Sequence, residues 1–518
     1  MKRKELSVEE KVGQLMMFGF PGQEITEHIE NFIVNHHLGG IIHFARNIKS
    51  PEQIQSLNRD LQTLASLRGT GLFIAVDQEG GSVARLTTGV SVSPGNMALG
   101  ATRSLKRTED VGRVTGEELR ILGFNINLAP CLDVNNNPAN PVIGVRSFGS
   151  DPHLAAELGA AYIKGLQEHV IAVAKHFPGH GDTHVDSHLG LPTINHDWER
   201  LNKVELVPFR KAIKEGVAGI LAAHIVFPAF ESDPNRPAVL SYGVLTELLR
   251  SELGFEGLIM TDCLEMQAIT NHFSMSEAAV LAVEAGSDLV LVSHTPSLQS
   301  EAYWALVEAV RSGRISEKRI DESAARIQAA KERFQVGKSY PGTVGTEANL
   351  AVMEAAAQDS ITVVQDGGNL PLTSEKVAVI ETKTQALTGV EAEIQSTFSL
   401  ADALRDEGLM VDHYEVGLEC TAEEIKKLVN ASTNYETVIM VTQDAHRYPT
   451  QARLVQELNK QPLGFIVVGA RTPYELQSFP NVQTYTATYS NQPFVWKCAA
   501  AVLTGKRKAT GTLPVSLV

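Results

Sequence analysis

The sequence predicts an α/β protein, a (β/α)8 TIM-type barrel over residues 1–335 followed by a smaller α/β sandwich domain over 351–518. Three observations lead there. Short apolar runs alternate with amphipathic segments across the first two-thirds of the chain, the signature of repeated βα units. Eight such runs can be counted, and most are continuously apolar rather than alternating, as strands covered on both faces must be. Polar residues gather just after these runs, at the carboxyl ends of the strands, where barrel enzymes build their sites. At 518 residues the chain also exceeds what one hydrophobic core usually spans.

Taken in order, the expected strands are Gln14–Phe20, Gly39–Phe44, Leu72–Val76, Ile126–Ala129, Ile171–Ala174, Gly219–Ala222, Leu258–Thr261 and Asp288–Val292. Helical patterns fall between them at Pro51–Leu67, Asp151–Glu168, Glu199–Glu215 and Met275–Ala285. Ser50 precedes Pro51, and Ser150 precedes Asp151 and Pro152, both suited to helix starts. Residues 336–350, rich in Gly, Pro and Thr, read as a linker. Beyond it, strands are expected near Ile361–Val364, Val377–Ile380, Thr437–Val441 and Phe465–Val468, with helices at Ala422–Asn430 and Gln451–Asn459. This second segment has no Gly-rich phosphate loop and no acid/histidine cluster, so no catalytic group is expected from it.

Composition narrows the function classes. A formal charge of −15 argues against a nucleic-acid partner, which calls for clustered Lys and Arg. Cys131, Cys263, Cys420 and Cys498 are widely spaced with no CxxC pair, so neither a metal site nor a disulfide framework is expected. Free thiols fit a reducing compartment. The N-terminus has basic residues but no apolar h-region, and no stretch approaches the ~20 apolar residues of a membrane helix. A cytoplasmic protein acting on a small molecule, without membrane partner, cofactor or metal, is the expectation.

The chemistry concentrates at two places. Residues 171–192, IAVAKHFPGHGDTHVDSHLGLP, run from an apolar strand into a loop that holds Lys175, His176, His180, Asp182, His184, Asp186 and His188. At 257–266, GLIMTDCLEM, a buried-looking strand ends in Asp262. A strand-end carboxylate can be a nucleophile, or it can simply cap the next helix. An imidazole can donate and later accept a proton near neutral pH, and a neighbouring carboxylate orients it. Asp186 and His188, two apart, can face the same way in an extended loop. For His180, His184 and His224 a structural imidazole is at least as good a reading. Asp77, Asp133, Arg146 and His224 also follow expected strands.

VDQEGGSVAR (76–85), IGVRSFGSDP (143–152), KHFPGHGDTHVDSH (175–188) and MTDCLEM (260–266) together resemble family 3 glycoside hydrolases, and are most similar to their β-N-acetylglucosaminidase branch. The motifs span the barrel in the family's order, and the closing GTLPVSL resembles the end of its C-terminal domain. The resemblance implies a retaining exo-enzyme that removes GlcNAc from peptidoglycan-derived muropeptides. It assigns Asp262 as nucleophile and Asp186 with His188 as acid/base dyad. It places Asp77, Arg85, Arg146, Lys175 and His176 on the sugar, while Glu79, Asp133 and Arg46 carry weaker assignments. Its alternatives are a phosphorylase that uses phosphate as acceptor, a family 3 β-glucosidase that draws its acid from elsewhere, and a catalytically silent sugar-binding scaffold. The aglycone, the oligomeric state and the second domain's role are not legible in the sequence.

Overall fold

The structure, a computed structural model, describes residues 6–184, 190–383, 385–391 and 397–517. Eight parallel strands form the first sheet: β1 Met16–Phe18, β2 Gly40–His43, β3 Phe73–Val76, β4 Ile126–Asn127, β5 Ile171–Phe177, β6 Gly219–Ala222, β7 Leu258–Thr261 and β8 Val290–Val292. Each pairs with its sequence neighbour through β7, and β1 pairs with β8 in register Met16↔Val290. A Met260–Leu289 bridge brings β7 to β8 and completes the barrel. All eight expected strands are present. They read as unbroken apolar runs because barrel interior and outer helices cover both faces; Met16, Phe18, Ile41, Phe73, Ile126, Ile171, Ile220, Ile259 and Val290 are all fully buried.

Local signals place the helices. Ser50 accepts a hydrogen bond from Gln53 N at 3.2 Å and opens helix Pro51–Ser66. One expected cap is corrected. Asp151, not Ser150, caps helix Pro152–Leu166, accepting from His153 N, and the Ser150 hydroxyl instead accepts from Ser516 N at the carboxyl end of the chain. The shorter Asx turn of Asp151 reaches the first free N–H groups directly. The expected helix 199–215 is two, Trp198–Lys203 and Leu206–Lys214. The long helix Leu105–Ile121, with charges spread around much of its surface, escaped the periodicity reading.

The second sheet holds six strands: β9 Thr362–Gln365, β10 Lys376–Thr382, β11 Met410–Val416, β12 Thr437–Thr442, β13 Gly464–Gly469 and β14 Thr484–Ala487, in spatial order β9-β14-β13-β12-β10-β11. Only β9 against β14 is antiparallel. Alternation sorts the side chains. Val377, Val379, Ile439, Val441, Ile466 and Val468 pack with helices Leu400–Asp406 and Pro493–Leu503. Ala378, Ile380, Val438, Met440 and Val467 pack with helices Ala422–Ser432 and Pro449–Leu458. The second cluster also takes in Met97, Ala98, Ala101 and Val145 from the barrel side, so the two units share one apolar interface. Helix Glu347–Ser360 begins inside the stretch 336–350 and packs on the barrel helix Leu105–Ile121. Strands β11 and β14 lack the apolar pattern of the others because Asp412, His413 and Glu415 dilute the first and Thr484 and Thr486 the second. No helix among the described residues is long and apolar enough to cross a membrane.

Candidate active site

A cavity of about 650 Å³ opens at the carboxyl ends of the barrel strands, within the size range of small-molecule sites. Asp77, Arg85, Arg146, Lys175, His176 and Asp262, from four different strand ends and the loops after them, all line it. Asp186 and His188 lie outside the described residues.

The wall after β3 is a small hairpin, Gln78–Gly80 against Val83–Ala84. The Gln78 side chain acts as a backbone substitute there: its Oε1 accepts from Arg85 N and Leu86 N at 2.9 and 3.0 Å, and its Nε2 donates to Leu86 O. Asn127 at the end of β4 brackets the Gln78 main chain with two bonds of 3.0 Å. Gly80 turns the chain at φ +93°, where a Cβ would also strike Ser93. This scaffolding aims Asp77, Glu79 and Arg85 at the same region.

Lys175 and His176 end β5. In a regular strand adjacent side chains point to opposite faces, but the register with β6 slips between Lys175 and Phe177, and both side chains line the cavity. A cis peptide joins these two residues. Lys175 Nζ bridges two carboxylates, 2.7 Å from Asp77 Oδ1 and 2.8 Å from Glu79 Oε1. Burial lowers its affinity for a proton, yet Asp77 and Glu79 outweigh that and hold the ammonium above its ordinary range. His176 Nδ1 sits 2.7 Å from Asp133 Oδ2, and the same carboxylate accepts the backbone N–H of His176 and of His180. Burial pushes the Asp133 carboxyl up, but His176 and its hydrogen bonds leave it ionised, down at about 2. With Nδ1 engaged by a carboxylate, Nε2 of His176 is turned toward Arg146 Nη2, 3.5 Å away.

Arg146 closes the cluster: its Nε and Nη2 grip Glu79 at 3.0 and 2.8 Å and its Nη1 donates to Val142 O. Glu79, 2 % exposed, would be raised by burial, but Arg146 and Lys175 carry it far below the usual carboxylate range. Glu79 and Asp133, given weaker assignments in the sequence, are thus the hubs on which Lys175, Arg146 and His176 turn. Their position directly after β3 and β4 was the available signal.

Asp262 follows β7 and is half-buried on the cavity wall. Its Oδ1 accepts from Cys263 N at 2.7 Å. Burial pushes this carboxyl up, but His224, His176, the Cys263 N–H and Lys175 together leave it below its ordinary value. His224 is itself fixed by a 2.9 Å contact with Cys263 O. Asp262 is therefore ionised at neutral pH and flanked by imidazoles and an ammonium, the state that a nucleophile needs. Glu265 does different work, accepting from His294 N and Thr295 N beyond β8.

His180 is buried, with Nδ1 2.9 Å from Thr183 Oγ1; burial drops its pKa to about 4, so it stays neutral. His184 Nδ1 contacts Asn137 Nδ2 at 3.3 Å. Arg46, on the cavity wall, donates to Phe20 O and Ser293 O and lies over the Phe44 ring. Among the described residues three groupings of ligand-type atoms occur, Cys131–Asp133–His176, Cys263–Glu265–His294 and Asp182–His196–Glu205. The first is already occupied by the His176 and His180 bonds, and the third holds Arg200 between its carboxylates, so neither has the chemistry of a vacant ligand set. The four cysteines are buried and unpaired. Sequence reasoning missed one group altogether: Gly389, Val390 and Glu391 of the second sheet's unit also line the cavity.

A barrel with carboxylates, a lysine and imidazoles converging at its strand ends defines a glycosidase-type site. Residues 7–330 match the glycosyl hydrolase family 3 N-terminal domain, and the chain belongs to that family. It is 32% identical to β-hexosaminidase A of Pseudoalteromonas piscicida over 95% of this chain and 91% of that one. A shorter β-hexosaminidase of Nitrosomonas eutropha is 38% identical over 55% of this chain and 82% of its own. Among solved structures it is similar to a family 3 β-N-acetylglucosaminidase from Paenibacillus sp. str. FPU-7, 42% identical with TM-score 0.95 over 99% of both chains.

Proposed function

We propose that this glycoside hydrolase of the β-N-acetylhexosaminidase type is a retaining exo-β-N-acetylglucosaminidase that removes terminal GlcNAc from GlcNAc–MurNAc muropeptides. The observation that carries the reading is Asp262: a strand-end carboxylate kept ionised inside a cavity lined by Asp77, Lys175, His176 and Arg146. The names of the full-length and shorter relatives support the hexosaminidase activity.

In this mechanism Asp262 attacks the anomeric carbon as the glycosidic bond breaks, and the leaving oxygen takes a proton from His188. Asp186 orients the His188 imidazole and stabilises its cation. Water then enters, gives its proton back to His188 and releases the sugar from Asp262 with its configuration retained. Asp77 accepts sugar hydroxyls, and Lys175 and Arg85 hold its charge and donate to the ring substituents. His176, with Nδ1 occupied by Asp133, presents Nε2 to the sugar.

A carboxylate-bearing aglycone such as MurNAc is favoured by Arg46 and Lys49 on the cavity wall. The unpaired, buried thiols support a reducing, cytoplasmic site of action. The test is a panel of β-GlcNAc disaccharides and muropeptides, with products resolved by mass, run with and without phosphate. Free GlcNAc in both buffers is expected. A sugar 1-phosphate would replace this reading by phosphorolysis, and preferential cleavage of β-glucosides would replace it by glucosidase activity.

A further inference from the structure

The second unit's contribution to the cavity wall is not a passing contact. Val390 O accepts from Arg85 Nη1 at 2.7 Å, while Nη2 of the same guanidinium lies 3.5 Å from Asp77 Oδ2. Arg85 Nε–H is buried without a hydrogen-bond partner among the described residues, and these two contacts hold the guanidinium from its Nη side. The Val390 side chain seats on Cys131, Val142 and Ile143, beside the carbonyl that fixes Arg146.

Residues 385–391 have no helix or strand of their own, and a charged cluster holds them. Glu391 accepts from Leu387 N at 2.8 Å and from Arg471 Nη2 at 2.5 Å. Arg471 Nε in turn bonds Asp444 Oδ2 at 2.9 Å, and Asp444 Oδ1 accepts from Thr472 N. Asp444 and Arg471 follow the carboxyl ends of β12 and β13, the rigid part of the second unit. Burial works against the Arg471 charge, but Glu391 and Asp444 outweigh it and keep the guanidinium protonated. The neighbouring Tyr474, His446 and Arg447 reach the carbonyls of Asn135, Pro138 and Pro141. From that stretch Asn140 donates to His180 O and Gly181 O at the base of the β5 loop.

A buried ion cluster is weak as a stability device, since an apolar core of equal volume serves as well. What it supplies is direction. We propose that the second unit is a positioning part of the substrate cavity, and that Arg471, through Glu391 and the Val390 carbonyl, holds Arg85 in its sugar-binding orientation. The inference rests on the sugar-binding role given to Asp77 and Arg85 above. No catalytic group is required from the second unit; Glu391 has both oxygens engaged and is not the proton donor here.

The experiment uses the full chain with Arg471→Met, Arg471→Lys, Glu391→Gln, Arg85→Met and the Arg85→Met/Arg471→Met pair. KM and kcat are measured on an aryl β-GlcNAc glycoside, GlcNAc affinity by calorimetry, and hydrogen exchange over residues 83–90 and 385–391. For Arg471→Met we expect KM and the GlcNAc Kd to rise by about tenfold with kcat within about threefold, the loss of roughly one charge-assisted bond. Arg471→Lys should recover part of this, and the effect should vanish in the Arg85→Met background. Exchange should quicken over both segments. Unchanged affinity with unchanged exchange overturns the proposal, as does full additivity with Arg85→Met. Faster exchange with unchanged GlcNAc affinity also overturns the positioning role, and wild type without GlcNAc binding or turnover fails the functional reading instead. If Arg471→Met does not fold, Glu391→Gln is judged by the same outcomes.

Discussion

Arg146 grips Glu79 with two bonds of 2.8 and 3.0 Å, and both side chains are buried. Lys175 adds a third bond to the same carboxylate. Two of the cations beside the cavity are thus tied to one buried acid.

Glu79→Leu should therefore destabilise the barrel by about 3–5 kcal/mol, since it leaves Lys175 with Asp77 alone and strips the buried Arg146 of the carboxylate it grips. The Glu79 carboxyl is held below its unfolded value, so the folded state binds fewer protons there. Its contribution is complete above about pH 5 and declines as pH falls through the folded value. Urea denaturation of wild type and variant from about pH 7 down to about pH 2.5 checks both statements. A variant within 1 kcal/mol of wild type at pH 7 would mean that the pair is dispensable.

Asp262→Asn should fold and lose turnover by roughly 10⁴-fold or more, as loss of an activated nucleophile does. Proton NMR of the first-formed sugar should show the β anomer. An α product would make Asp262 something other than a covalent nucleophile.

His188→Ala should slow cleavage of unactivated disaccharides by ~10²–10⁴-fold and hurt the glycosylation step of an activated aryl glycoside much less. Asp186→Ala should follow the same pattern at smaller size. Pre-steady-state rates on the two substrate types separate the cases. Equal losses on both would turn His188 into a binding or structural residue.

Lys331, near the amino end of the barrel, is buried against the Phe73 ring and donates to Gln14 Oε1 at 2.8 Å, with no carboxylate partner among the described residues. Burial drops its pKa to about 7. Between pH 7 and its unfolded value of about 10.4 the unfolded chain binds the proton and the folded chain does not, so this group adds stability as pH rises through that window. The stability difference between Lys331→Met and wild type should shift toward wild type by a few kcal/mol from pH 7 to pH 10. Chemical denaturation across that range reads it, and a flat difference would show Lys331 charged in the fold.

Several parts of this protein were legible in the sequence because they depend on local pattern. Continuous apolar runs marked the eight barrel strands, since a strand covered on both faces leaves no polar alternation. Strand ends then located Asp77, Lys175, His176 and Asp262, which the barrel gathers at one mouth. The motif resemblance supplied roles for Asp186 and His188 that no periodicity carries.

Other features only the tertiary structure decided. Glu79 as partner of both Lys175 and Arg146, Asp133 as the anchor of His176, and the Val390 carbonyl on Arg85 join residues 43 to 305 positions apart. Residue type and spacing along the chain contain no information about such pairings. They exist because barrel closure and the shared apolar interface at Met97, Ala98, Ala101 and Val145 bring distant loops together, and buried charges there must find one another.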